Sequence, residues 1–171
     1  MTINHAKELS RKNIYIGVSK KIHGKTYFAN KNFKRGEVVM VGFGKIIDHQ
    51  TPHISIEIDI DKHYLPTTWT GRYLNHSCDS NAYMKTREDG FPNLVALKSI
   101  KRGQEITYSY WMSELVWTKK AAEGKIRCRC GSKNCIGKIF SFSQLSKIDR
   151  KKIINKKICS RYLLNKKLLL V

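Results

Sequence analysis

Between Asn75 and Cys78 the chain sets an amide, an imidazole, a hydroxyl and a thiol in succession, inside the run Arg72-Tyr73-Leu74-Asn75-His76-Ser77-Cys78-Asp79-Ser80-Asn81. Strand or helix packing alone does not call for such a run, because almost every side chain is a hydrogen-bonding group or a ligand. Asn offers both a donor and an acceptor and can read a purine-like edge. A thiol among polar neighbours suits a metal better than a core. Fifty residues on, Cys128-Arg129-Cys130-Gly131-Ser132-Lys133-Asn134-Cys135 supplies three more thiols. Tetrahedral zinc takes four ligands, and Cys78 is the obvious fourth. Taken by itself, Asn75–Cys78 also reads as a polar loop between strands.

Between these motifs stands Gly103-Gln104-Glu105-Ile106-Thr107-Tyr108-Ser109-Tyr110. With all three in this order, the chain resembles SET-domain protein lysine methyltransferases with a post-SET zinc segment, over roughly residues 11 to 140. Asn75 to Cys78 is similar to the family's N-H-S-C signature, Tyr110 falls on its catalytic tyrosine, and Cys128 to Cys135 falls on its C-x-C-x4-C motif. The resemblance implies a β-rich α+β fold: a SET domain of several small sheets with a knot-like C-terminal substructure, then a zinc-bound post-SET segment and short helices. In one departure, the family usually has Pro before the Asn of this signature where Ser80 stands here. Pro fixes φ, so the turn is expected to be looser.

The same resemblance implies a reaction, the transfer of a methyl from S-adenosylmethionine to a protein lysine. A lysine ammonium has no lone pair and a reference pKa of about 10.4, so the site must desolvate it, favour the neutral amine and aim it at the methyl. Tyr110 is the expected catalytic tyrosine, its hydroxyl holding the amine and its ring facing the developing positive charge. Tyr108, expected on the same strand face, stands where the family holds Phe or Tyr and limits the number of methyls added. Its hydroxyl implies a mono- or dimethyl-lysine product. The implied cofactor contacts are the turn Gly24, Lys25, Thr26 and Tyr27, the signature residues Asn75 and His76, and Tyr110, with Arg72 either in contact or bracing the loop. Only Gly24 remains of the family's usual glycines there, so a plain turn is the other reading. Four thiolates leave no open position, so the zinc held by Cys78, Cys128, Cys130 and Cys135 is expected to be structural. Ile136 to Phe140 are then the candidates to close over the cofactor.

The elements that must position these groups are read from pattern. Residues 1–12 carry no periodicity and are expected to be a mobile start. Ile14–Val18 reads as a strand, followed by a turn into a second strand ending near Ala29. An internal repeat follows: Ala29-Asn30-Lys31-Asn32-Phe33-Lys34-Arg35-Gly36-Glu37-Val38-Val39 is echoed by Ala96-Leu97-Lys98-Ser99-Ile100-Lys101-Arg102-Gly103-Gln104-Glu105-Ile106. It predicts two similar strand–turn–strand units. His53 to Asp61 alternates with period two, Ile54, Ile56, Ile58 and Ile60 against Ser55, Glu57, Asp59 and Asp61. That pattern predicts a half-buried strand with a solvated acidic face, or a dock for a basic peptide. Ala82–Lys85 and Asn93–Lys98 read as strands joined by a turn at Asp89-Gly90-Phe91-Pro92. Ser113 to Glu123 reads as a short helix stopped at Gly124, and Trp111 and Trp117 as packing on the core or over the cofactor. The division expected is a segment 1–12, a SET domain 13–112, a linker helix and post-SET segment 113–140, and a basic helical tail 141–171.

Length and composition bound the rest. The 171 residues, 41% hydrophobic, suit one domain with a real core. There is no apolar run of membrane-spanning length, and Met1–Lys12 lacks the apolar stretch of a secretory signal. Five cysteines, an odd number with close spacings among Cys128, Cys130 and Cys135, favour a reducing intracellular compartment with a metal over a disulfide framework. Cys159 reads as a buried small apolar residue. The net charge of +20 points to an anionic partner, nucleic acid or a nucleic-acid-bound protein, or else to solubility. The tail's share, residues 141–171, is seven Lys, two Arg and one Asp, hence 7 + 2 − 1 = +8. It either packs as a helix on the core or contacts nucleic acid. The expected substrate is a histone tail or nucleosome, with DNA contact through the basic surface, in the nucleus or on chromatin, of a host cell if the source is a bacterium or virus. The alternative is a catalytically inactive chromatin- or nucleic-acid-binding module on the same fold. Keeping Asn75, His76 and Tyr110 together with the thiols favours the enzyme.

Overall fold

Thr2 caps a helix that the composition of the N-terminus conceals. Its hydroxyl accepts from the His5 N–H at 3.3 Å, and Arg11 and Lys12 lie in the last turn of α1 (Ile3–Asn13), where cations oppose the helix dipole. The buried face is Ala6, Ser10 and Asn13, small and polar, so no apolar period announces the helix. The expected mobile start is therefore corrected to an ordered helix. Asn13 fastens it, its Nδ2 donating to the carbonyls of Val38 at 3.3 Å and Val39 at 3.0 Å. The computed structural model describes residues 2–21, 24–51, 54–67, 73–116, 123 and 125–165.

The described residues form three small sheets. β1 (Ile14–Val18) and β2 (Lys25–Ala29) form an antiparallel hairpin. β3 (Val38–Val41) belongs to a five-stranded sheet whose other members are introduced below. β4 (Gly44–Ile47), β5 (Ile56–Asp59) and β6 (Lys62–Pro66) form a third sheet in the order β4-β6-β5. The expected strand His53–Asp61 is thus shorter, and its first residue lies outside the described residues. Ile56 and Ile58 are buried as expected, but Ile60 is exposed, because the chain turns at Asp61 with a positive φ of 55°. Nor is the acidic face wholly solvated: Glu57 is buried.

The internal repeat has a spatial counterpart, an approximate two-fold exchange of backbone hydrogen bonds. Phe33 and Ile100 trade N–H and carbonyl in both directions, at 2.8 and 2.9 Å. The Gly36 N–H donates to the Ala96 carbonyl and the Gly103 N–H to the Ala29 carbonyl, both at 2.8 Å. The Ala96 N–H donates to Glu37 and the Ala29 N–H to Gln104, both at 2.9 Å. Each turn is closed by its own fourth side chain, Glu37 Oε2 on the Lys34 N–H at 2.8 Å and Gln104 Oε1 on the Lys101 N–H at 3.0 Å. Gly36 and Gly103 take φ of 89° and 78°, a region a side chain would strain. So the repeated K-R-G motif encodes two turns that grip each other's strands.

That grip delivers the chain to the site. β8 (Ala82–Thr86) and β9 (Pro92–Ala96) form a hairpin. The short β10 (Thr107–Tyr108) lies between β8 and β7 (Asn75–His76), parallel to both, giving the sheet order β3-β9-β8-β10-β7. Residues 77–81 must therefore arch across β10, the threaded arrangement expected of this substructure. Asn81 holds β10 from both ends of its amide, Nδ2 donating to the Glu105 carbonyl at 2.8 Å and Oδ1 accepting from the Thr107 N–H at 2.9 Å. Ser109 Oγ donates to the Ser77 carbonyl at 2.6 Å and reaches Ser80 Oγ at 3.3 Å. The turn expected to be loose for want of Pro is thus pinned by the hydroxyl that replaces it.

The main core lies under these sheets, with Phe33, Met40, Tyr64, Leu74, Met84, Leu94, Ile100 and Ile106 almost wholly buried. A second core joins Met112 to Phe142, Ile153, Cys159 and Leu163. The C-terminal region contributes a 3-10 turn (Phe142–Gln144), α2 (Lys147–Lys156) and a 3-10 turn (Arg161–Leu164). Of the three helical pieces among its described residues two are thus single turns, and within α2 Ile153 is buried while Ile148 is exposed. Residues 141–165 pack on the domain, and Cys159 is a buried apolar residue at 3% exposure, as read from sequence. Ser113–Val116 is not helical; the turn of 3-10 helix precedes it at Tyr110–Met112. The rest of the expected helix, with Trp117 and Gly124, lies outside the described residues apart from Glu123.

Candidate active site and thiol cluster

β7 and β10 bring the signature and the tyrosines side by side. Thr107 pairs with Asn75 and Tyr108 with His76. The strand ends there, so Tyr110 opens the 3-10 turn instead of continuing the strand, correcting the expected alternation. The two rings still meet, with centroids 5.1 Å apart and planes at 47°. His76 completes the group, its ring 5.2 Å from that of Tyr110 in an edge arrangement. Tyr108 is buried and Tyr110 half-buried; desolvation pushes Tyr110 up to about 12 and Tyr108 well above the usual phenol range, so both hydroxyls stay protonated.

The ring nitrogens of His76 are both engaged. Nδ1 accepts from the Tyr110 N–H at 3.2 Å, which puts the proton on Nε2, 3.5 Å from Cys78 Sγ. Burial pushes the imidazole down to about 4, so it is neutral at physiological pH. Any contact from His76 to a ligand must then be made by its backbone. The Tyr110 hydroxyl donates to the Leu74 carbonyl at 3.2 Å.

Glu105, whose place in the repeat hid any further role, ties the signature to the first turn. Its Oε1 accepts from Asn75 Nδ2 at 3.1 Å and its Oε2 from Ser19 Oγ at 2.9 Å. Ser19 in turn donates its N–H to the Gly24 carbonyl at 2.8 Å, closing the turn before β2. Gly24 and Lys25 are therefore near the signature, while the side chains of Thr26 and Tyr27 point into the core at 0% and 4% exposure. Those two can meet a ligand only through backbone. Lys25 Nζ lies 5.9 Å from the centre of the Tyr73 ring. Arg72 lies outside the described residues.

Cys78, Cys128, Cys130 and Cys135 converge, their sulfurs all within 4.8 Å of one another. Cys78 and Cys128 are 3.7 Å apart. Four sulfurs at about 2.3 Å from a tetrahedral zinc would be separated by roughly that distance, and a disulfide by about 2.05 Å. The loop is built for this. The Cys128 N–H donates to the Gly137 carbonyl at 2.9 Å, the Cys135 N–H to Ser132 at 3.0 Å, and the Gly137 N–H to Cys135 Sγ at 3.4 Å. Without a cation, burial pushes Cys78 up to about 11 and raises Cys128 as well, so those two need a positive charge beside them to ionise. The donor set fits zinc. Ile136, after the last ligand, is 52% exposed.

A further polar cluster stands behind the tyrosines. Glu57 and Glu114 are both buried; the Glu57 N–H donates to Glu114 Oε1 at 3.2 Å, and the Leu115 N–H donates to Glu57 Oε2 at 2.7 Å. Burial and the Glu57 charge push Glu114 up to about 8. In sequence Glu57 falls on the polar face of its strand, and nothing local singles out Glu114. Only the fold, which lays β5 against the segment after Tyr110, could reveal the pair.

The profile described as "SET domain" matches residues 24–111, just over half of the chain. Histone-lysine N-methyltransferase trithorax of Drosophila virilis is 30% identical over 141 residues, covering 71% of this chain. Human Histone-lysine N-methyltransferase 2B is 29% identical over 154 residues, covering 79%. The chain spans only 4% and 5% of the length of these two relatives. A crystal structure of a Plasmodium falciparum protein superposes with a TM-score of 0.49 at 25% identity, covering 57% of this chain and 92% of that one.

Proposed function

The chain belongs to the SET-domain family, and from that premise we propose that it is a protein-lysine N-methyltransferase that uses S-adenosylmethionine, acts on histone tails and yields mono- or dimethyl-lysine. The observation that carries the reading is the packing of Tyr108, Tyr110 and His76 against one another beside the four thiols. S-adenosylmethionine would supply an electrophilic methyl on a sulfonium. The groups that would hold it lie around Glu105: the turn closed by Ser19 and Gly24, Lys25, the Asn75 amide and the backbone of His76. They offer amide and backbone groups next to the Tyr73 ring, a donor set suited to an adenosine with an amino-acid arm.

The residues of the chain then do three things. The Tyr110 hydroxyl and the Leu74 carbonyl, 3.2 Å apart, form a polar spot that can take the amine's N–H groups and leave its lone pair free. The buried surroundings disfavour the ammonium, so the amine enters neutral after losing its proton to water. The aromatic rings face the nitrogen as it becomes positive. Zinc, held by Cys78, Cys128, Cys130 and Cys135, would fix the loop that carries the signature to the segment ending at Ile136, and takes no part in the chemistry. Nuclear action on chromatin follows from this substrate, and the charge of +20 suits it. Incubation with methyl-labelled S-adenosylmethionine and core histones, free and in nucleosomes, followed by mass spectrometry, tests the proposal. Labelled lysine is expected. Nucleosome binding without any transfer would favour the inactive binding module.

A further inference from the structure

Residues 112–115, directly after the tyrosine pair, are gripped from two sides. From the core, Glu57 of β5 takes the Leu115 N–H at 2.7 Å and gives its own N–H to Glu114. From the other side comes the C-terminal region. The Tyr162 hydroxyl donates to the Ser113 carbonyl at 2.6 Å and accepts from the Leu115 N–H at 3.1 Å. The Ser160 N–H donates to Met112 at 2.8 Å, and the Phe142 and Ser143 N–H groups donate to Glu114 and Leu115 at 2.8 and 3.1 Å.

This segment is coupled to both tyrosines. The N–H groups of Ser113 and Glu114 donate to the Tyr110 carbonyl at 3.1 and 3.0 Å. Tyr110 in turn packs its ring on that of Tyr108, with centroids 5.1 Å apart. Close-packed interiors pass on displacement instead of absorbing it, and a misplacement of about 1 Å at a reacting group can cost roughly a hundredfold in rate.

We propose that Tyr162 is a positioning residue for methyl transfer: with Glu57 opposite, it clamps residues 113–115 and so sets where Tyr108 and Tyr110 stand. The proposal rests on reading those two tyrosines as the transfer site. Tyr162 touches neither ring; it acts through Ser113 and Leu115. The tail is then a working part of the catalytic unit, and its basic surface is incidental to that role.

Tyr162→Phe tests it. The change deletes one hydroxyl, keeps the ring in the second core and leaves the Leu115 N–H its bond to Glu57. Circular dichroism, zinc content and calorimetric affinity for S-adenosylmethionine should match the wild type. The kcat on a histone peptide should fall about tenfold or more with KM within about twofold, and the 13C ring signals of Tyr108 and Tyr110 should shift. Wild-type kcat with unmoved signals would overturn the proposal, even with a lowered melting temperature. Should Tyr162→Phe not fold, Glu57→Leu removes the opposite grip without opening a cavity and carries the same readouts. Should the wild type transfer no methyl, the functional reading falls, and the ring signals alone decide the clamp.

Discussion

The Tyr110 N–H donates to Nδ1 of His76 at 3.2 Å, across 34 residues of sequence. This bond joins the signature strand to the tyrosine turn, and it points the other ring nitrogen at Cys78. Signature, tyrosine and thiol cluster thus form one connected unit.

The thiol cluster should therefore hold one equivalent of zinc per chain, with zinc–sulfur distances of about 2.3 Å by X-ray absorption. Cys78→Ser should lower the zinc content and loosen the 77–81 arch. Cys159→Ser should leave the metal untouched, since Cys159 lies in the second core. Zinc retained in the first variant and lost in the second would refute the ligand set.

The buried Glu114 predicts a pH dependence of stability. Its pKa is about 8 in the fold against a reference of about 4.3. The folded state binds more protons between those values, so the contribution is fully present below about pH 4.3 and is lost as pH rises through about 8. The loss is at most about 1.4 kcal/mol per pH unit. Urea denaturation at several pH values should show Glu114→Gln gaining on the wild type as pH rises from about 5 to 8, and no further above it. A difference independent of pH would show that Glu114 is ionised in the fold.

Removal of residues 141–171 should unfold the second core and not merely reduce charge. Phe142, Ile153 and Leu163 are each worth about 1.5–3 kcal/mol on burial, a total comparable with the stability of a whole domain. Nucleic-acid contact is better tested on the exposed Lys151, Lys152, Lys156 and Lys157. Changing these four to Gln should keep the melting temperature and flatten the dependence of nucleosome affinity on salt. An unchanged slope would place the binding surface elsewhere.

Tyr108 should limit the product. A second hydroxyl beside Tyr110 occupies, directly or through a water, the room an already methylated nitrogen needs to turn its lone pair. Tyr108→Phe should move the product to a higher methylation state with little loss of the first step, by mass spectrometry of a peptide substrate. Trimethyl-lysine as the main wild-type product would place the size limit elsewhere.

What the sequence made legible were the groups whose chemistry is unusual wherever they occur. Packing alone rarely calls for four thiols and an Asn-His-Ser run, and these residues meet in space as their types suggest. The strand Ile14–Val18, a short run rich in β-branched and aromatic residues, was equally plain. Helix α1 was hidden because it buries Ala6, Ser10 and Asn13, which carry no apolar signal. The burial of Glu57 was hidden because a period-two pattern assigns faces but not what covers them. The K-R-G repeat was visible, whereas its mutual grip was not, since nothing local says that Gly36 pairs with Ala96.

The central claim is that Tyr110 holds the accepting amine. Tyr110→Phe removes only the hydroxyl that bonds Leu74 and keeps the ring packed on His76. The decisive measurement is the single-turnover rate of methyl transfer to a histone peptide by this variant, with S-adenosylmethionine affinity measured on the same protein. The predicted result is wild-type cofactor affinity and a transfer rate reduced about a hundredfold or more, in the range lost when one preorganised group is removed. Transfer at the wild-type rate would contradict it and leave Tyr110 a packing residue.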